Sequence, residues 1–201
     1  MINNEDYRKF IEMIDKTFSV MKKDERNDLL REQIFTYAAS QVLTDDERAK
    51  LLNLPEGCRI RENAKIISPE NFKCGRNVWI GEGAILDASG GLEVGDHTSV
   101  GLYVMLWSHS SYLTNLAMAN YSGSDLIERK PTKIGKGCFI AGHSVVYHGV
   151  TVGDRTVVLP MTVITKDIKG NCIVGGSPAK VIRELSDDYI DALMKKTNSK
   201  H

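Results

Sequence analysis

The chain has 201 residues, enough for one sizeable core with a small appendage. Its 26 basic and 26 acidic residues cancel, so no overall field draws it to nucleic acid or to an anionic membrane surface. No apolar run approaches the roughly 20 residues of a membrane span, and the charged start MINNEDYRKF lacks the apolar stretch of a secretory signal, which predicts a cytoplasmic protein.

The first elements along the chain are helical. Tyr7, Phe10, Ile11, Ile14, Phe18 and Met21 fall on one face at three- and four-residue spacing, predicting a helix that Asn3 or Asn4 would cap. A second helical pattern carries Leu29, Leu30, Ile34, Tyr37, Ala38 and Val42 after Asp24. A third, shorter helix is predicted from Thr44, where T-D-D-E (44–47) fits a capping box; Leu51 and Leu52 form its apolar end, and Asn53 to Pro55 stop it. These helices are expected to pack against the region that follows or against a neighbouring subunit.

From about residue 58 valine, isoleucine, threonine and glycine rise and the helical period disappears. Ile134, Ile140, Val146, Val152, Val158 and Ile164 are spaced by six without a break. Two positions before each stands a compact residue: Thr132, Cys138, Ser144, Val150, Thr156 and Thr162. Upstream the same phase holds at Cys74, Ile80 and Leu86, then resumes after a two-residue slip at Val94, Val100 and Leu106. The residue after the aliphatic is often glycine, as at Gly81, Gly95, Gly101, Gly135 and Gly153. A period of six requires a sharp turn in every hexapeptide, so short strands with their aliphatics inward are predicted, with glycine accommodating the turns and stacked coils burying a ladder of side chains. Cys58, Cys74, Cys138 and Cys172 are scattered with no C-x-x-C pair and are expected to be reduced packing residues.

The rhythm lapses over residues 110–131, a loop that ends in KPTKIG (130–135), and the repeat region closes on VITKDIKGNCIVGGSPAKVIREL (163–185). In this combination the chain, from about Arg59 to Glu184, resembles the hexapeptide-repeat acyltransferases. It is nearest to the maltose- and galactoside-type sugar O-acetyltransferases and the xenobiotic acetyltransferases. The resemblance implies a mainly β fold, a left-handed parallel β-helix with about 18 residues per coil. The expected organisation is an N-terminal helical region (1–57), a β-helix domain (58–184) interrupted by the 110–131 loop, and a short C-terminal helix and tail (185–201).

The resemblance also implies a site. His109, just before the loop, matches the general base that takes a proton from an acceptor hydroxyl or amine as it attacks the acetyl-CoA thioester. Imidazole suits that role, because its unperturbed pKa near 6.5 lets it accept and return a proton at neutral pH. Relatives often orient this histidine with a glutamate four residues before the proline of their KP motif. Here that position is Ile127, which leaves Glu128, Asp125 or a backbone carbonyl to do so. For acetyl-CoA, the small and backbone positions carried over are Ala141, Gly142 and Pro160, with Thr165 and Lys166 along the pantetheine and adenine end. Lys180 and Arg183 match basic residues near the nucleotide phosphates. On the acceptor side Asp87 matches an aspartate that meets sugar hydroxyls, or it stabilises its own turn; Trp107 and Tyr112 would stack on a sugar ring or pack under the loop. The expected protein is therefore a homotrimer with its donor groove between subunits, acting on a sugar, glycan precursor or other small hydroxylated acceptor, with no metal.

Three other readings fit parts of the sequence. An N-acetyltransferase acting on an amino sugar or similar amine would use the same base. The segment GHSVVYHGVTVG (142–153) looks like that of the γ-type carbonic anhydrases, which bind zinc through two histidines five apart, as His143 and His148 are. Their third ligand, however, falls at Trp107, whose indole cannot ligate zinc. A non-catalytic β-helix scaffold with the N-terminal helices as a docking arm is the remaining alternative.

Overall fold

The computed structural model describes residues 43–120 and 125–198, together with Lys9, Glu12, Lys16 and Gln41. The first two expected helices lie outside the described residues, except that Lys9, Glu12 and Lys16 are helical. The chain divides into Met1–Thr44 and Asp45–His201, and the second unit carries all that follows.

Helix α1 (Asp45–Leu51) begins inside the T-D-D-E stretch, with Asp45, Asp46 and Glu47 in its first turn and Arg48 and Lys50 in its last, the charge order that the helix dipole favours. It lies against the first strand, Arg59–Ile60. Ala49 is buried, and Leu52 and Leu54 pack on the core. The buried Arg48 is fully engaged. Its Nε donates to the Ile60 carbonyl at 2.7 Å, and its guanidinium meets Asp45 at 2.7 Å and Glu62 at 3.2 Å. Such partners are needed because an unpaired buried cation is strongly destabilising.

Beyond α1 the chain winds as a parallel β-helix of three faces. The first face holds Arg59–Ile60, Trp79–Ile80, Ser99–Val100, Phe139–Ile140, Thr156–Val158 and Cys172–Gly175. The second holds Lys65–Ile67, Ile85–Asp87, Met105–Leu106, Val145–Val146 and Val163–Ile164; the third holds Phe72–Cys74, Leu92–Val94, Thr132–Ile134 and Thr151–Val152. Every third strand pairs, as a chain turning three corners per coil must. The aliphatics of the six-residue series are the core: Ile80, Leu86, Val100, Leu106, Ile140, Val146, Val152, Val158 and Ile164 are wholly buried, and the compact residues Thr132, Ser144, Thr156 and Thr162 are buried beside them. The hydroxyls satisfy themselves on neighbouring carbonyls, as where Thr162 Oγ1 donates to Leu159 O at 2.6 Å.

The repeat glycines have a different cause from the one expected. Gly81, Gly95 and Gly101 are not at the left-handed positions; those fall two residues later, at Gly83 (φ 66°), His97 (φ 57°) and Tyr103 (φ 56°). What the repeat glycines provide is close approach between coils. A Cβ on Gly81 would lie 2.7 Å from the Gly101 carbonyl carbon, and one on Gly95 2.7 Å from that of Gly135.

The 110–131 loop contains helix α2 (Tyr112–Leu116), and its two ends are joined by an antiparallel ribbon of His109–Ser110 with Glu128–Arg129. At the far end Lys180–Glu184 folds back antiparallel on Cys172–Gly175, with a register shift at Ile173/Val174, and helix α3 (Asp187–Asn198) is the expected C-terminal helix. The four cysteines are free; Cys58, Cys138 and Cys172 are buried, and burial pushes the thiols of Cys138 and Cys172 up. No helix among the described residues is long and apolar enough to cross a membrane.

The two kinds of position predict different responses. Gly81→Ala should lower the urea midpoint by the equivalent of about 1–3 kcal/mol, as overpacking does. His97→Gly, which removes a side chain from a left-handed position, should change stability by less than about 1 kcal/mol.

Candidate active site

Coil length is not constant, and the difference builds the site. Stacked partners are twenty residues apart in the first coils (Arg59 with Trp79, Ile85 with Met105) and eighteen apart in the last (Phe139 with Val157, Val145 with Val163). The two additional residues lie at the corner between the second and third faces. There Ser68–Asn71 forms a 3₁₀ turn, Ala88–Gly91 turns in the next coil, and the long loop leaves from the coil after that. This is the two-residue slip in the hexapeptide phase, seen in space.

Asp87 ends a second-face strand at this corner and is wholly buried. Its Oδ1 accepts from the Ser89 amide at 3.1 Å, and its Oδ2 accepts from the amides of Ser108 at 2.9 Å and His109 at 3.1 Å. The same Oδ2 lies 2.6 Å from His109 Nδ1. Burial alone would raise the Asp87 pKa, but the donors from Ser108, Ser89 and His109 outweigh it and hold the carboxyl at about 2. An ionised carboxylate only accepts, so Nδ1 must carry the ring proton, and Nε2 is left with its lone pair. Ser89 Oγ, 3.0 Å from Nδ1, braces the same edge of the ring. His109 retains 32% side-chain exposure, and the Trp107 ring meets it edge-on at 6.2 Å and 79°.

The turn that carries Ser89 must come close. The Gly90 amide donates to Ser108 Oγ at 2.8 Å, and a Cβ at Gly90 would lie 2.1 Å from the Ser108 carbonyl oxygen. From the other side the loop returns over the same strand. Arg129 is paired with His109, the Lys130 amide donates to Ser108 O at 2.9 Å, and Thr132 Oγ1 donates to Trp107 O at 2.6 Å. Beneath this return His148 is buried, both ring nitrogens without a hydrogen bond, 4.0 Å from Glu128 Oε2. Burial pushes its pKa down and favours the neutral ring.

The structure therefore brings together Asp87, Trp107 and His109. Asp87 is buried in the single chain, where it meets the Ser89 amide of its own turn and faces His109. Glu128, one of the residues that could orient the histidine, is instead engaged by Lys130 Nζ at 3.0 Å, and Asp125 is exposed. Ser89 and Ser108 were not singled out in the sequence. The signal that finds them is the twenty-residue stacking distance, which sets Leu86 on Leu106 and so places Asp87 next to the 107–109 segment.

The other candidates are dispersed on one chain. Tyr112 is exposed in α2. Ala141 (buried), Gly142 and Pro160 lie on the corner between the first and second faces. Thr165 and Lys166 lie on the same corner as His109, two coils further along. Lys180 and Arg183 are exposed on the closing strand, with the Arg183 guanidinium 5.9 Å from the centre of the Tyr189 ring. His143 stacks on Tyr103 at 5.3 Å in an exposed turn, apart from the buried His148, and no group of three potential ligands is assembled among the described residues.

The depressed Asp87 pKa makes a stability prediction. Because the folded value lies below the unfolded value of about 3.9, the carboxylate contributes about 2–3 kcal/mol above that pH, and the contribution is lost as pH falls through about 4 to about 2. Urea unfolding of the wild type and Asp87→Asn should show a full difference at pH 6 that shrinks toward pH 2.5. An equal difference at both pH values would contradict the arrangement.

Residues 131–166 match the family described as "Bacterial transferase hexapeptide (six repeats)". Over 125 residues the chain is 33% identical to the putative colanic acid biosynthesis acetyltransferase WcaF of Escherichia coli (strain K12), covering 62% of this chain and 65% of that one. It is 30% identical over 140 residues to the galactoside O-acetyltransferase of the same strain, covering 64% of each. The chain thus spans just under two thirds of the length of these curated relatives. A hexapeptide-repeat-containing acetyltransferase from Vibrio cholerae O1 biovar eltor, solved with acetyl coenzyme A, shares the fold with a TM-score of 0.61 and 24% identity over 82% of this chain and 91% of that one. The six-residue core, the three-faced coil and the match over 131–166 agree: that stretch carries the bacterial transferase hexapeptide repeat, on the fold of the solved hexapeptide-repeat acetyltransferase.

Proposed function

We propose that the protein is an acetyl-CoA-dependent O-acetyltransferase of a sugar, glycan precursor or other hydroxylated small molecule, with His109 as general base. The observation that carries this reading is the 2.6 Å contact between Asp87 Oδ2 and His109 Nδ1, which leaves Nε2 of a partly exposed ring to accept a proton. The relatives, a putative acetyltransferase of colanic acid biosynthesis and a galactoside O-acetyltransferase, support the acetyl donor and the class of acceptor.

In the proposed reaction His109 Nε2 takes the acceptor hydroxyl proton as its oxygen bonds to the thioester carbonyl carbon. Asp87 steadies the imidazolium so formed, as an acid behind a catalytic imidazole does, without itself taking the proton. The C–S bond then breaks, and His109 returns the proton to the leaving thiolate, giving the acetyl ester and free coenzyme A. No covalent enzyme intermediate is required.

The donor is assigned to Ala141, Gly142, Pro160, Thr165, Lys166, Lys180 and Arg183. These residues sit on two corners and a closing strand of one chain, so a groove between neighbouring copies is the arrangement that would gather them near a His109. A homotrimer supplies three such grooves. Trp107, beside the imidazole, is assigned to the acceptor's sugar ring, and Tyr112 to the loop side of the same pocket. A cytoplasmic location, where acetyl-CoA is made available, completes the proposal. An amine acceptor would use the same base, and the two products separate chemically because esters are labile to hydroxylamine and amides are not.

His109→Ala should abolish acetyl transfer while acetyl-CoA still raises the melting temperature, since a ligand bound only by the folded form must stabilise it. Asp87→Asn, which removes the acceptor that fixes the tautomer, should lower kcat by about 10²–10⁴-fold with a much smaller change in the donor KM. Full turnover in either variant would overturn the mechanism.

A further inference from the structure

Beside the Asp87–His109 pair an open cleft of about 490 Å³ runs along the corner formed by the two additional residues of each early coil. Its walls are Glu70 and Asn71 from the 3₁₀ turn, Lys73 on the adjoining strand, Ser89 with the glycines that follow it, and Arg129 from the returning loop. The cleft reaches the catalytic pair in two ways. Ser89 Oγ touches His109 Nδ1 at 3.0 Å, and Arg129 stands directly opposite His109 in the antiparallel ribbon. Opposed residues of such a pair project from the same face, so Arg129 and His109 leave the ribbon on one side.

The charges in this cleft are left open. Neither Lys73 nor Arg129 forms an ion pair among the described residues. Glu93, opposite Lys73 in the ladder, instead lies 4.0 Å from Lys133 Nζ, and Glu128, next to Arg129, is taken by Lys130. Glu70 is the only acid in the wall, so two cations and one anion face the space. Lys73 and Arg129 are both exposed, so water serves them in the empty cleft, and a neutral sugar would bring them no countercharge. An acidic one would answer them with charge-assisted bonds, which a guanidinium makes in bidentate form to carboxylate or phosphate. The Asn71 amide and the Glu70 carboxylate remain for hydroxyl groups.

We infer that this cleft is the acceptor subsite and that the acceptor is a sugar bearing an anionic group, a carboxylate or a phosphate, held by Arg129 and Lys73. The inference rests on the acetyltransferase reading for its chemistry, but its binding content stands apart. Specificity at the corner is then set by Lys73 of the adjoining strand and Arg129 of the returning loop, with Glu70, Asn71 and Ser89 supplied by the corner turns.

Binding and transfer test it separately with D-glucose, D-glucuronate and D-glucose 1-phosphate as probes of matched ring. Without donor, at least one acidic sugar should bind at least tenfold more tightly than glucose by calorimetry, and which acid wins tells carboxylate from phosphate. With acetyl-CoA, the same acid should lead in kcat/KM by coenzyme A release. Arg129→Gln with Lys73→Gln should collapse that preference, whereas Glu70→Gln should strengthen it, a gain that damage to the fold does not produce. Selective binding without transfer would sink the acetyltransferase reading and leave the subsite standing. Equal affinity for glucose and both acids, an acid preference that survives the double substitution, or a double variant that weakens only acetyl-CoA would overturn the subsite.

Discussion

Backbone pairing holds successive coils about 4.8 Å apart, and at Gly81, Gly95 and Gly101 that spacing leaves no room for a Cβ. The same pairing sets each inward aliphatic on the next, so one constraint accounts for the core, the six-residue period and the compact residues between. It also imposes a rigid register, in which a residue near a coil's corner has fixed neighbours one coil up and one coil down. A site built between coils inherits that precision without needing a fold of its own.

The corner between the second and third faces is where this regularity is broken to chemical purpose. Two residues more per early coil lift Ser89–Gly91 outward, and the long loop of the following coil closes back over His109. Asp87 becomes buried at the point where it can be satisfied only by donors, and it collects three backbone amides and an imidazole. A carboxylate so surrounded stays ionised although buried, and an ionised acceptor behind Nδ1 decides which nitrogen of the neutral His109 ring keeps its lone pair. Burial, charge and tautomer are one linked arrangement.

The fold was legible because its period is unlike that of any helix or simple strand, and because inward positions tolerate few residue types. Ile134 through Ile164 therefore announce their burial directly. The repeat glycines were ambiguous for a physical reason: glycine serves both close approach and positive φ, and in the fold Gly101 does the first while Tyr103 adopts the second. His109 stood out where the rhythm stopped, but its partner did not. Asp87 is twenty-two residues away, and the neighbouring acids Asp125 and Glu128 were nearer to the loop. The phase slip held the missing information, since it marks both the twenty-residue coil and the corner where the excess lies. Cleft residues such as Lys73 and Arg129 have no periodic signature, because outward side chains are free to vary with the ligand rather than with the coil.

The central claim is that Asp87 fixes His109 with its proton on Nδ1 and its lone pair on Nε2. Nitrogen-15 NMR of the histidine ring in the intact protein reports this directly, with His109→Gln used to assign the signal. The account predicts, at pH values where the ring is neutral, a protonated Nδ1 and an unprotonated Nε2 for His109, with that preference lost in Asp87→Asn. A wild-type ring protonated at Nε2, or a tautomer indifferent to the Asp87 substitution, would contradict it.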